Sequence, residues 1–322
     1  MLKHPLFSVI IPVYNKESTI RRSVMSVLTQ TFLDFEIIIV CDPSTDNSNK
    51  VVSEFIDNPK VRIYRRSNRG PGGYASRNLG IKKSKSNWIG FLDADDEWFP
   101  EHLERILMVI EKFNDAKFIS SSWFEETNKY RYADPFTKKT NYKKVTFINF
   151  KEYLKSSIKG ERPNNTNSII FNKLVLDNKD FFPEGKTSRS GDLYAWVLNI
   201  NKVGGIYWSP HVGSITYRDS PNMTSKTEVP SILLNIQMVD QISLTASKTE
   251  ITFAKVYANR LIKRAFFEHK KFKQDPKVYL FNSFYWSNDI IFCFAWSLIS
   301  ITPDKFINLL RKVKKLFFEK RK

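Results

Sequence analysis

Apolar positions in the first hundred residues follow two alternating rhythms. Runs rich in β-branched residues occupy Phe7–Val13, Glu36–Val40, Val61–Tyr64 and Trp88–Leu92. They show little internal polar alternation, as expected of strands in a parallel sheet covered on both faces. Between them, Ile20, Val24, Val27 and Leu28 recur at the spacing of one buried helix face. Thr45 or Asp46 can cap a second helix carrying Val51, Val52, Phe55 and Ile56. A third helix is predicted to begin near Pro100 and to bury Leu103, Ile106, Leu107, Ile110 and Phe113. Strand and helix in turn make an α/β fold.

The rhythm loosens between Ser120 and Ile170, where a helix near Phe150–Ile158 and a strand near Ser168–Phe171 are expected. The stretch from Asp180 to Thr224 is punctuated by glycines. After Pro230 the pattern becomes helical and rich in Phe, Trp and Lys.

Composition narrows the class of partner more than the fold. The 322 residues hold 51 Lys and Arg against 33 Asp and Glu, a net charge of +18. A hydrophobic share of 42% excludes wholesale disorder. Cys41 and Cys293 are too few for a disulfide scaffold and read as free thiols. Phe7–Val13 is too short for a secretion signal, and the apolar run Ile290–Ile301 is too short to span a bilayer. The basic excess calls for an acidic partner: nucleic acid, anionic lipid or a phosphorylated substrate.

Carboxylates gather where strands end. Asp93, Asp95 and Asp96 follow the fourth apolar run. In open α/β sheets ligands bind at the carboxyl ends of strands. A divalent metal shared with substrate phosphates would account for these acids. The alternative is that Asp95 or Asp96 caps the helix near Pro100. Asp42 follows the second run, either as a ligand acceptor or as part of a turn with Ser44-Thr45-Asp46. Asn68 to Asn78 forms a polar, glycine-rich loop that leads into a helix and carries Arg69 and Arg77, a pair suited to a diphosphate. Gly70-x-Gly72-x-x-Ala75 also matches the dinucleotide fingerprint, but it lies in the third strand–helix unit and is separated from its strand by Arg65 to Arg69. A nicotinamide-dependent oxidoreductase is therefore the alternative reading. No recognition-helix, zinc-finger or ribonucleoprotein motif supports nucleic acid as the partner.

Taken together, Ser8 to Asn15, Glu36 to Val40 with Asp42 and Ser44-Thr45-Asp46, Ala75 to Gly80, and Asp93-Ala94-Asp95-Asp96 resemble the family 2 glycosyltransferases of the GT-A fold. The motifs cover about the first 115 residues. Cys41 and Pro43 depart from the family, which usually has aspartate and glycine there. The resemblance implies a GT-A-like catalytic domain over residues 1–228, with a nucleotide-sugar half (1–115) and an acceptor half (116–228), followed by a helical region over 229–322. It implies that Pro12, Val13, Tyr14, Asp42, Asn68, Arg77 and Asp93 bind the nucleotide-sugar. Asp95 would hold Mg²⁺ or Mn²⁺. Asp192, in Ser190-Gly191-Asp192, would be the base for the acceptor hydroxyl, with glycine where glutamate is common and Glu184 as the nearest substitute. His211 and Arg218 are further candidates for metal and phosphate. The implied reaction moves a sugar from a UDP donor, with inversion, to a glycan or lipid-linked glycan acceptor in surface-polysaccharide synthesis.

Phe306, Leu309, Leu310, Val313, Leu316 and Phe317 form one helical stripe, and residues 305–322 carry eight Lys and Arg against one Glu. With the apolar run before it, this tail reads as an anchor on an anionic membrane surface, placing the protein peripherally at the inner face of the cell membrane.

Overall fold

The computed structural model describes residues 4–140, 143–175, 180–220, 228–276 and 278–302. The expected basic stripe from Phe306 to Phe317 lies outside them. One mixed sheet runs in the order β3-β2-β1-β4-β9-β6-β10-β5. Its first half is the parallel set β3 (Val61–Arg65), β2 (Phe35–Cys41), β1 (Phe7–Val13) and β4 (Trp88–Phe91). Every residue of β2 is buried. Antiparallel β9 (Ile169–Asn172) then joins β4 to β6 (Phe118–Glu126), which pairs in parallel with the long β10 (Gly205–Tyr217). Short β5 (Glu97–Trp98), β7 (Arg131–Ala133) and β8 (Thr146–Asn149) complete the sheet.

The helices follow the apolar periodicity. Helix α1 (Ile20–Leu28) buries Ile20, Val24 and Val27. Helix α2 (Ser48–Ser53) is shorter than its apolar pattern: Phe55 is buried in the turn beyond it, while Ile56 is 60% exposed. The N-cap is Asn47 rather than the expected Thr45 or Asp46, and Asp46 just before it accepts hydrogen bonds from the Ser48 N–H and hydroxyl. Helix α3 (Tyr74–Lys83) is buried on nearly all sides, because Gly80 lets it lie directly on Ile10 of β1. Helix α4 (His102–Lys112) starts two residues after Pro100 and buries Leu103, Ile106 and Val109, leaving Leu107, Ile110 and Phe113 half-buried.

Short α5 (Pro135–Lys139) precedes α6 (Phe150–Ile158), which opens on a full capping box between Asn149 and Glu152. Beyond α7 (Gly191–Val203) come α8 (Ile232–Ser243), α9 (Lys248–Lys271), short α10 (Leu280–Ser283) and α11 (Ile290–Ile301). Met238, Ile242, Ala258 and Ile262 of α8 and α9 bury into the same core as Ile10 and Phe91, so these helices cover one face of the sheet. Helix α11 turns its small residues Cys293, Ser297 and Ser300 inward. Its large ones, Ile290, Ile291, Phe294, Leu298 and Ile301, stand exposed.

Candidate active site

Strands β1, β2 and β4 end side by side, so the segments after them form one cleft. At one side, Asp42 is buried and accepts from Arg66 Nη1 (2.6 Å) and the Ser76 hydroxyl (2.9 Å). The Tyr14 ring lies under the Arg69 guanidinium, 4.0 Å from the ring centre, a closed cation–π stack. Pro12 faces the Gly72-Gly73 turn. Val13 belongs instead to the core beneath α1, and only its carbonyl is engaged here, accepting from the Asp42 N–H. Asn68 is exposed on the loop and makes no side-chain hydrogen bond with described residues.

The three acids after β4 do not act as one cluster. Asp93 accepts from Arg77 Nη2 at 2.5 Å. Asp95 accepts from the Lys16 ammonium at 2.6 Å. Asp96 is buried and accepts from Asn167 Nδ2 (2.5 Å) and the Tyr217 N–H (2.8 Å), which ties the loop to β10. Neither Asp95 nor Asp96 caps α4, which begins six residues after Asp96 and directly after Glu101. Burial pushes the Asp96 carboxyl well up, with Asp95 and Asp93 adding to it. Burial also raises Asp95, against the pull of Lys16. Helix α1 holds the loop's backbone: Thr19 bonds the Ala94 carbonyl, Arg22 that of Asp95 and Ser23 that of Asp96.

The opposite wall is carried by α3. Asn78 exchanges two hydrogen bonds with the backbone of Phe182. The Tyr74 hydroxyl accepts from the Gly191 N–H at 2.7 Å. Together they fix the start of α7, where Ser190 has a left-handed backbone (φ 62°) and Asp192 occupies the first turn. A Cβ at Gly191 would lie 2.8 Å from the Tyr74 ring and 2.9 Å from Pro183, which explains glycine at a place where the resemblance expects glutamate. Asp192 Oδ2 accepts from the Thr166 hydroxyl at 3.2 Å. Buried Arg77 feels Asp93 first and Asp192 next, and their charges hold its pKa above the ordinary arginine value against desolvation. Arg77 therefore joins the strand-end acids to Asp192.

Other candidates are engaged elsewhere. Glu184 lies 3.8 Å from Arg66, the arginine that also bonds Asp42. His211 bonds His102 (3.2 Å) and Ser209 (2.8 Å) in a buried pair, where desolvation brings it down to about 4. Arg218 grips Glu125 through two nitrogens, at 2.9 and 2.6 Å. Arg218 also feels the charge of Asp96, whose carboxylate is bonded by the neighbouring Tyr217 N–H. Among the described residues no group of three or more His, Cys, Asp and Glu gathers into a metal cage. The Lys16 ammonium on Asp95 marks a place that takes a cation, and one carboxylate plus a substrate diphosphate suits a hard divalent ion.

Lys16, Arg66, Tyr74, Thr166 and Asn167 were not singled out by the sequence. Lys16 and Arg66 each follow a strand end, and that position is the one signal they carry.

The sequence model for "Glycosyl transferase family 2" matches residues 8–171, the stretch from β1 through β9. A glycosyltransferase of Rickettsia bellii is 37% identical over 132 residues, 40% of this chain and 19% of its own length. An Escherichia coli protein, UDP-Glc:alpha-D-GlcNAc-diphosphoundecaprenol beta-1,3-glucosyltransferase WfgD, is 37% identical over 109 residues, 34% of this chain and 42% of its own length. The chain thus spans less than half the length of either relative. Among solved structures, S. aureus TarS 1–349 in complex with UDP-GlcNAc superimposes with a TM-score of 0.70 at 17% identity, covering 86% of this chain and 79% of that one.

Proposed function

The chain belongs to glycosyl transferase family 2, folds as a GT-A-like transferase and is an enzyme of the EC 2.4 class; from that premise we propose that its cleft binds a UDP-sugar and passes the sugar, with inversion, to a hydroxyl of a lipid-linked glycan. The observation that carries this reading is Arg77, which donates to Asp93 and feels the charge of Asp192. It brings the strand-end acids and the Asp192 carboxylate into one cleft. The UDP-GlcNAc and UDP complexes of S. aureus TarS support the choice of donor.

In this mechanism the base lies beside the stacked Tyr14–Arg69 pair and meets Asp42, while Asp93 faces the ribose. Arg77 and Asn68 support the nucleotide-sugar from the side. Asp95 would hold Mg²⁺ or Mn²⁺, which would supply neutralisation of charge on the departing diphosphate. Asp192 accepts the acceptor's hydroxyl proton as that oxygen bonds the anomeric carbon and the bond to UDP breaks. One displacement from the opposite face inverts the anomeric centre.

The decisive test is thermal. UDP with Mn²⁺ should raise the melting temperature of the purified protein in a concentration-dependent way, because a ligand of the native state stabilises it. NAD should not. Stabilisation by NAD alone would overturn the transferase reading.

The location we propose is the inner face of the cell membrane, by peripheral contact. No helix of the described residues is long and apolar enough to cross a membrane. The support is the outward row on α11: Ile291 is 85% exposed and Phe294 62%. Beyond it the sequence continues with the basic tail. Such a surface suits shallow insertion among anionic headgroups. The protein should therefore bind phosphatidylglycerol vesicles, less so as salt rises. The exposed pair Ile291→Asp and Phe294→Asp should release it without changing the UDP melting shift. Indifference of the unaltered protein to such vesicles would rule out the membrane reading.

A further inference from the structure

Three arginines lie around Asp192 and the helix face beside it, and the transfer mechanism above uses none of them. Arg162 opens the segment that runs from α6 to β9, and this segment is firmly held. The Pro163 carbonyl accepts from the Ser120 hydroxyl (2.8 Å), Asn164 Oδ1 from the Tyr153 hydroxyl (3.0 Å), and Thr166 donates to Asp192. Arg162 is half-buried beside Tyr153, Tyr257 and Asp192, yet forms no ion pair or hydrogen bond with any described residue. Two residues on, fully buried Asn164 leaves its Nδ2 without a partner. Unpaired donors in a rigid, partly dry wall are places where an acceptor is missing.

The second and third arginines come from the segment before α7 and from α9. Arg189 precedes Asp192 by three residues and bonds Glu268 Oε2 at 2.5 Å, and Arg264 bonds the other oxygen of that carboxylate at 2.9 Å. Two guanidiniums therefore share one acid. Tyr257, Arg264 and Glu268 fall at i, i+7 and i+11 of α9, on one helix face. The other face carries Asn259 and Lys270, which bond Cys293 and the Ser300 carbonyl of α11. Helix α9 is thus a wall between the cleft and the exposed apolar row. Among the described residues Arg189 and Arg264 share the Glu268 carboxylate, while the charge of Asp192 bears on Arg162 and Arg189, and guanidinium groups grip phosphate through paired N–H donors.

We infer that Arg162, with Arg189 and Arg264, forms an anion site on the acceptor side of Asp192 that receives a phosphate or diphosphate carried by the acceptor. The inference rests on the transferase reading and adds to it the class of acceptor: a phosphorylated sugar, its hydroxyl at Asp192 and its phosphate at Arg162. It agrees with the diphosphate in the printed name of the E. coli relative.

The test uses the full chain with its donor side filled by UDP and Mg²⁺. Inorganic phosphate, titrated at constant ionic strength, should bind this complex saturably. Arg162→Gln should weaken that binding at least tenfold and exposed Arg264→Gln by less, while UDP affinity, which also reports correct folding, stays within twofold. Should Arg162→Gln fail to fold, Arg162→Lys and Arg264→Gln carry the same comparison. Phosphate that ignores the UDP complex, or binds wild type and variants alike, overturns the site. Failure of UDP to bind wild type would instead defeat the transferase reading, and the phosphate titration of wild type against Arg162→Gln would still decide this one. Farnesyl diphosphate and glucose 1-phosphate, as competitors of phosphate, separate the sources. Stronger competition by the first assigns the anion to a lipid-linked acceptor, and by the second to a soluble sugar phosphate.

Discussion

Asp192→Asn should leave UDP binding intact and lower sugar transfer by about 10²–10⁴-fold, the usual contribution of a positioned general base. The substitution keeps the shape of the side chain. Its carboxamide oxygen can still accept from the Thr166 hydroxyl, now 3.2 Å from Oδ2, so the first turn of α7 has no reason to move. The Arg77–Asp93 contact that faces the donor is untouched. What disappears is the ability to take a proton from the acceptor hydroxyl. Turnover by product formation and affinity for UDP by calorimetry should therefore separate: the first falls, the second does not. Wild-type turnover in the variant would place the base elsewhere. Glu184 would then be the next candidate, and it lies 3.8 Å from Arg66.

The parts of this site that could be read from sequence are those that follow from strand ends. Strands buried on both faces show as unbroken apolar runs, so β1, β2 and β4 declare themselves, and the polar residues just after them mark the mouth of the sheet. Asp42, Asp93 and Asp95 were found that way. Their partners were not, since Lys16 and Asp95 are 79 positions apart and nothing local pairs them. Proximity in sequence says little about donors: Asp93, Asp95 and Asp96 lie within four residues, yet the turn between them sends each carboxylate to a different one. His211 is only a further candidate from sequence, and its partner His102 lies 109 residues away. Helix α11 shows a limit of periodicity itself. All of its positions are apolar or small, so sequence cannot say which face is inward, and the structure turns Cys293, Ser297 and Ser300 in and the bulky residues out.

Asp95 gives the other large effect, and two substitutions are needed to read it. Asp95→Ala removes the carboxylate that accepts from the Lys16 ammonium, whose side chain is only 11% exposed. Loss of activity there would mix a structural cost with a chemical one, because breaking a buried ion pair destabilises the fold. Asp95→Asn keeps an oxygen for Lys16 to bond but is a much weaker ligand for a hard divalent cation. If Asp95 holds the metal, Mn²⁺ should tighten UDP binding to the wild-type protein and have no effect on the asparagine variant. Metal-free UDP affinity should be similar in both. Turnover should fall by about 10²–10³-fold, the share that several kcal/mol of charge stabilisation on the leaving diphosphate represents. Lys16 adds a further expectation, since its ammonium sits on the oxygen the metal needs. Lys16→Met should lower the Mn²⁺ concentration that gives half-maximal UDP binding, because no resident cation then has to be displaced. Should Asp95→Asn keep both the Mn²⁺ response and wild-type turnover, Asp95 serves only to seat Lys16, and the metal, if one is used, is held by other groups.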